Sequence, residues 1–237
     1  MTAGFIDEFS NTDKDPGFYA ITNFGAGAIA LDSIPLKLLL VGLKASTGGT
    51  LTVDTAPVQI FSDTDALTLA AAHSELYRMA RAALRVPGLE IWIAACAAPT
   101  GGGAAAATAT ITIAGTWSTA GTFRYYICGD EISGTVGSTN TVTEVAAAIV
   151  AEVMARSYIA CKAANVAGVV TLTFGSIGTR GNDGILFQDI SEMPTGLTSA
   201  LAGGAAVTGD GTTGDGVRFS GGVGTDSITN LVTALNA

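Results

Sequence analysis

Two nearly continuous apolar runs, IPLKLLLVGL at 34–43 and LEIWIAACA at 89–97, bracket a segment with helical periodicity. Runs of this length and content suit strands covered on both faces. Between them, Ser62-Asp63-Thr64-Asp65 reads as a helix start, an oxygen-bearing cap with an acid three residues on. Leu69, Ala72, Leu76, Met79 and Ala83 follow at spacings of three and four. They predict one helix over 63–86, extended by Leu84 and Val86 and stopped by Pro87-Gly88. A turn at Ser46–Gly49 and a short strand within Thr50–Ile60 complete this part. Strand, helix, strand is the βαβ pattern of a covered sheet, and few other architectures use it.

The composition changes at APTGGGAAAA, residues 98–107. Beyond it the chain is rich in Thr, Gly and Ala, and TATITIAG at 108–115 alternates with period two, one face in and one out. FRYYICG and EISGTV predict a hairpin turning at Gly129-Asp130. Thr141 and Glu144 form a capping box for a helix over 143–156, with Val145, Ile149 and Val153 on its apolar stripe and Val150 and Met154 beside it. Tyr158–Ala164 and Val169–Phe174 predict a second hairpin across Asn165–Gly168. Residues 108–190 are thus a compact α+β unit of two hairpins and a helix, bounded by Gly-rich peptide as an inserted domain would be. The expected fold class is α/β (α+β): an incomplete core sheet with a βαβ unit, plus an inserted Thr/Gly-rich domain. The expected division is an extended arm over 1–20, the first part of a core domain over 21–100, an inserted outer domain over 101–207, and a Gly-rich return segment with the start of a core helix over 208–237. Ile228, Leu231, Val232 and Leu235 give that last helix its apolar stripe, and the sheet of 34–97 is expected to take further strands.

The arm carries the main interaction signal. Phe5, Ile6, Phe9, Phe18 and Tyr19 stand among acids without strand or helix period, and Pro16-Gly17 interrupts them. Such a segment docks on its own domain or on a neighbouring subunit. The net charge is −9 with 11 basic residues and no Lys/Arg cluster along the chain, so a phosphate backbone lacks its main attraction and nucleic acid is not an expected partner. No apolar run reaches the roughly 18 residues of a membrane span, so membrane insertion is not expected. The opening MTAGFIDEFSNTDKDPG lacks the basic and apolar regions of a signal peptide. Charged residues are only 13% of the chain, which favours surfaces hidden within a core or an assembly.

Chemistry is not nominated. Cys96, Cys128 and Cys161 are widely spaced and read as buried thiols in a reducing compartment. His73, the one histidine, is expected on the charged, solvent side of the 63–86 helix. GDGTTGDG at 209–216 offers Asp210 and Asp215 to a hard cation but lacks the order of a calcium loop, so a flexible loop is the expectation. Arg180-Gly181-Asn182-Asp183-Gly184 is a turn signature. No catalytic residue, cofactor or metal site is expected, and the chain is not expected to be an enzyme.

Several ordered segments resemble the N-terminal portion of contractile phage tail sheath proteins of the Mu-like kind. IDEFSNTDKDPGFYAITNFGAGA resembles the opening arm of that family, and IPLKLLLVG and EIWIAA its core strands. TATITIAGTWSTAGTFRYYICGDEISGTV, TEVAAAIVAEVMA and GVVTLTFGSIGTRGNDGILF resemble its inserted unit, and SGGVGTDSITNLVTALN the return to its core. In the family a larger C-terminal region follows, completing the core and touching the inner tube. The resemblance implies a virion tail component, assembled in the host cytoplasm, that polymerises helically and contracts for genome ejection. Its implied partners are copies of itself, the tail tube protein, and baseplate and tail terminator proteins, with Phe5, Ile6, Phe9, Phe18 and Tyr19 as the subunit-interaction arm. The alternative is a capsid-decoration or surface-attachment module of a virion.

Overall fold

The computed structural model describes residues 36–99, 103–208, 215–224, 232 and 235. The five arm residues lie outside these, as do Asp210 and most of the expected terminal helix.

The first part is the βαβ unit. Strands β1 (Leu36–Leu43) and β2 (Val58–Ile60), helices α1 (Asp63–Ala70) and α2 (Glu75–Ala83), and strand β3 (Leu89–Cys96) follow in order. β1 runs parallel to β3, and β2 pairs antiparallel on β3's other side, giving the sheet order β1-β3-β2. Ala66 and Ala70 of α1, Leu76, Tyr77, Ala80 and Ala83 of α2, and Ile91, Ile93 and Ala95 of β3 close a core on one face of this sheet. The other face is only partly covered, against the expectation for β1: Leu39 is 43% and Val41 37% exposed. Only three residues of 50–60 form a strand, and Val53 adds a lone bridge to Ala95.

The helix expected over 63–86 is two helices. Ala71 and His73 both take positive φ, and the Ser74 hydroxyl accepts from the Tyr77 amide to cap α2 anew. The apolar spacing concealed the break, because the seven-residue step from Leu69 to Leu76 keeps both helices in phase on the core.

The second part is a mixed α+β unit of two sheets and a helix. Its elements are β4 (Ala106–Gly115), β5 (Gly121–Ile127), β6 (Asp130–Val136), α3 (Val142–Ala155), β7 (Cys161–Val166), β8 (Val169–Ile177), β9 (Ile185–Asp189), β10 (Leu197–Ala202), β11 (Ala206–Val207) and β12 (Gly216–Arg218). The sheets run β10-β4-β8-β7 and β11-β12-β9-β5-β6. In β4, Ala107, Ala109, Ile111 and Ile113 point into the core, as the alternation predicts. The capping box on α3 is complete, and Val145, Ala146, Ile149 and Val153 are its buried stripe. Both hairpins turn on two residues at positive φ, Cys128-Gly129 and Ala167-Gly168, the geometry that matches strand twist. Four strands, β9 to β12, enlarge the unit beyond the two hairpins and helix read from sequence.

Candidate interaction surfaces

The free edge of β1 follows from the sheet order: β3 pairs one side of β1, and no described strand pairs the other. Its eight residues alternate about the sheet, so Lys37, Leu39, Val41 and Leu43 share the face away from the helices. In register, Leu39 lies beside Trp92, Val41 beside Ala94 and Leu43 beside Cys96. Leu43, Ala94 and Cys96 are buried, while Leu39 and Val41 are not. The Trp92 Nε1–H is buried without an acceptor among the described residues. Such a group costs about 1–3 kcal/mol. A long apolar edge with one charge, Lys37 paired to Glu90 at 3.5 Å, is a template for another strand.

His73 is not on the surface: it is 2% exposed, correcting the expectation of a solvent-facing histidine. The helix break turns it into the joint between the two parts. Its amide donates to Ser157 O at 2.7 Å, and its Nδ1 lies 3.0 Å from Ile159 O. Burial holds its pKa below 6.5, with nearby Lys162 pushing the same way and the Ile159 carbonyl pushing back. Tyr77 Oη reaches Ser157 Oγ at 3.1 Å and donates to Asp63 at 2.9 Å. Ser46 N donates to Gly175 O, and Lys162 to Thr47 Oγ1 at 2.6 Å. Gly175 has no room for a Cβ, since the His73 carbonyl occupies that space. Arg78–Asp130 at 3.1 Å and Arg180–Glu75 at 2.8 Å add ion pairs across the joint.

The remaining titratable groups serve the fold. Cys161 is fully buried and its thiol pKa is pushed well up by burial; Cys128 is pushed up by the same cause. Both therefore stay protonated and weakly nucleophilic at neutral pH. Tyr125, buried and hydrogen-bonded to Ser199 Oγ at 2.8 Å, has its pKa raised to about 12 by burial. Asp189 is held below the usual carboxylate range by the Ser191 hydroxyl and amide, then by Arg124. Arg124 gathers Asp189 and Glu192 at 3.1 Å each and Glu131 at 3.3 Å, tying β5, β6 and the segment after β9 together. Asp215 is exposed, and among the described residues no three His, Cys, Asp or Glu side chains are placed to hold a metal ion. Residues 179–183 form a short 3₁₀ helix, in line with the turn signature. No described helix is long and apolar enough to cross a membrane.

Sequence reasoning expected the sheet of 34–97 to take further strands but did not place the edge left open among the described residues at β1, and it missed the buried joint. The first depends on which neighbour a strand lacks, and the second on a backbone break that leaves hydrophobic period intact. No protein-family model matches this chain, and a search of curated proteins finds no match.

Proposed function

We propose that this chain is a structural subunit of a contractile tail sheath, polymerising helically around a tube and contracting to drive genome ejection. The observation that carries the reading is the β1 edge: eight strand residues with one side unpaired among the described residues, and the exposed apolar pair Leu39 and Val41. An extended segment from a neighbouring copy would satisfy both the backbone edge and the apolar face by adding a strand. The ordered resemblance of the arm, core strands and inserted unit supports the same reading. Contraction would draw on the difference in burial between two subunit packings. At ~25 cal/mol per Å², a few hundred extra apolar Å² per subunit would supply several kcal/mol.

Negative-stain electron microscopy of the purified protein tests the proposal. Regular tubes or helical arrays are expected, and Leu39→Glu with Val41→Glu should abolish them while leaving the thermal midpoint nearly unchanged. Only monomers or small closed oligomers over a wide range of concentration and salt would overturn it.

A further inference from the structure

Arg78 and Arg81 on α2 and Arg85 just beyond it recur at helical spacing on one face. They are three of the seven arginines of a chain whose net charge is −9, and their convergence on one helix face corrects the reading of a chain without a basic cluster. They line two adjoining cavities that share Arg81 and Arg85, one of about 420 Å³ and one of about 150 Å³. The larger is also walled by Asp63, Leu84 and Phe61, a residue 77% exposed on the surface. Arg78 is paired with Asp130 at 3.1 Å, and Arg81 lies over the Tyr158 ring at 4.1 Å and 3.8 Å from Asp63. Arg85 is exposed and has no ion-pair partner among the described residues. The cleft therefore sets an uncommitted guanidinium beside an exposed phenyl ring and a leucine. That combination fits an extended peptide in which carboxylates alternate with aromatic or branched side chains.

One such peptide lies in this chain. Residues 5–9 read Phe-Ile-Asp-Glu-Phe, and residues 1–20 hold four acids against one lysine. We propose that the Arg81–Arg85–Phe61 cleft receives the Phe5–Phe9 segment of a second copy, an acceptor site separate from the β1 edge. The proposal rests on reading the chain as a self-assembling subunit, because that reading is what makes the donor a second copy. Asp7 and Glu8 take Arg85 and the open side of Arg81, while Phe5 or Phe9 covers Phe61 and Leu84. Such a contact weakens with salt, as its charges sit at the rim of the protein.

A fluorescently labelled peptide of residues 1–20 titrated into the full-length chain, followed by anisotropy, tests this. Arg85→Glu is expected to weaken the peptide about tenfold or more. A peptide carrying Asp7→Lys and Glu8→Lys should lose affinity for the native chain and regain it for Arg85→Glu. Arg85→Gln, with an unchanged thermal midpoint, controls for folding, and Phe61→Ser tests the apolar half. Cross-linking in a mixture of isotopically light and heavy chains should join the segment to the cleft between unlike copies. Equal affinity for native and Arg85→Glu chains, or links confined to single copies, overturns the inference. Tubes that form equally well with Arg85→Glu also overturn it and leave the sheath reading standing. Charge-swappable peptide binding without tubes upholds the cleft and sinks the sheath reading instead.

Discussion

His73 shows how one residue can join two parts of a chain. Histidine is among the side chains found with some frequency at positive φ, and at 65° its backbone ends the turn between α1 and α2. The same turn buries the ring against the Ile159 carbonyl. A buried imidazole whose pKa is lowered stays neutral in the folded state while the unfolded chain takes up a proton near pH 6.5. Below that value the unfolded state binds more protons, so folding stability falls as the pH drops from about 6.5 through the folded-state pKa. Above it the histidine is neutral in both states and contributes no pH dependence. Asparagine tolerates positive φ and keeps a donor for the carbonyl, yet does not titrate. His73→Asn is therefore expected to flatten the loss of thermal midpoint between about pH 7 and pH 5, relative to the native chain. Identical pH slopes for the two proteins would show that the joint is not where the protons go. Glu144 and Asp189, both held below the usual carboxylate range, lose their contribution only in more acid solution, so the two windows separate.

Among the elements, α3 depends most visibly on local sequence. The Thr141 hydroxyl accepts from the Glu144 amide, and the Glu144 carboxylate accepts from the Thr141 amide at 2.7 Å. The helix behind this cap carries Val145, Ile149 and Val153 into the core between the sheets. Thr141→Ala is expected to cost about 1 kcal/mol in denaturant unfolding. Thr141→Ser should recover most of it, and an alanine variant as stable as the native chain would show that packing alone sets this helix. The capping box and the alternation of β4 were legible because each is written within a dozen residues, and the strand-helix-strand order made the pairing of the two apolar runs legible across a longer span. The hairpin turns were harder: Cys128 is not a residue that favours positive φ, so the Gly-Asp signal pointed one position away, while the Asn165–Gly168 span enclosed the turn at Ala167-Gly168. β9 to β12 were not legible at all. They are two to six residues long, and Gly216–Arg218 is a strand only because β9 and β11 flank it. The exposure of β1 was also hidden, since an apolar run looks the same whether its second face is covered by its own chain or offered to another.

At the scale of the whole molecule, the described residues form two main cores held together at one joint. One core is assembled from Leu51 to Ala95 and the other from Ala107 to Phe219, and each mixes helix with sheet. The hydrogen bonds and ion pairs at His73, Tyr77, Ser46, Arg78 and Arg180 join them. These contacts are local to residues 46–180, so they do not require the first twenty residues. If those residues serve a neighbour, their removal takes away assembly and leaves the joint and both cores intact. A chain lacking residues 1–20 is therefore expected to unfold in one transition within about 1 kcal/mol of the full-length protein, since surface changes seldom cost more. The same chain should form no ordered tubes, and its sedimentation should be that of a monomer at concentrations where the full-length protein polymerises. Large destabilisation would instead mean that Phe5, Ile6, Phe9, Phe18 and Tyr19 belong to the molecule's own core. Undiminished tube formation would mean that assembly proceeds through segments other than residues 1–20. The two failures differ in the quantity they change, folding free energy in one and polymer mass in the other, so denaturant unfolding and sedimentation on one preparation separate them.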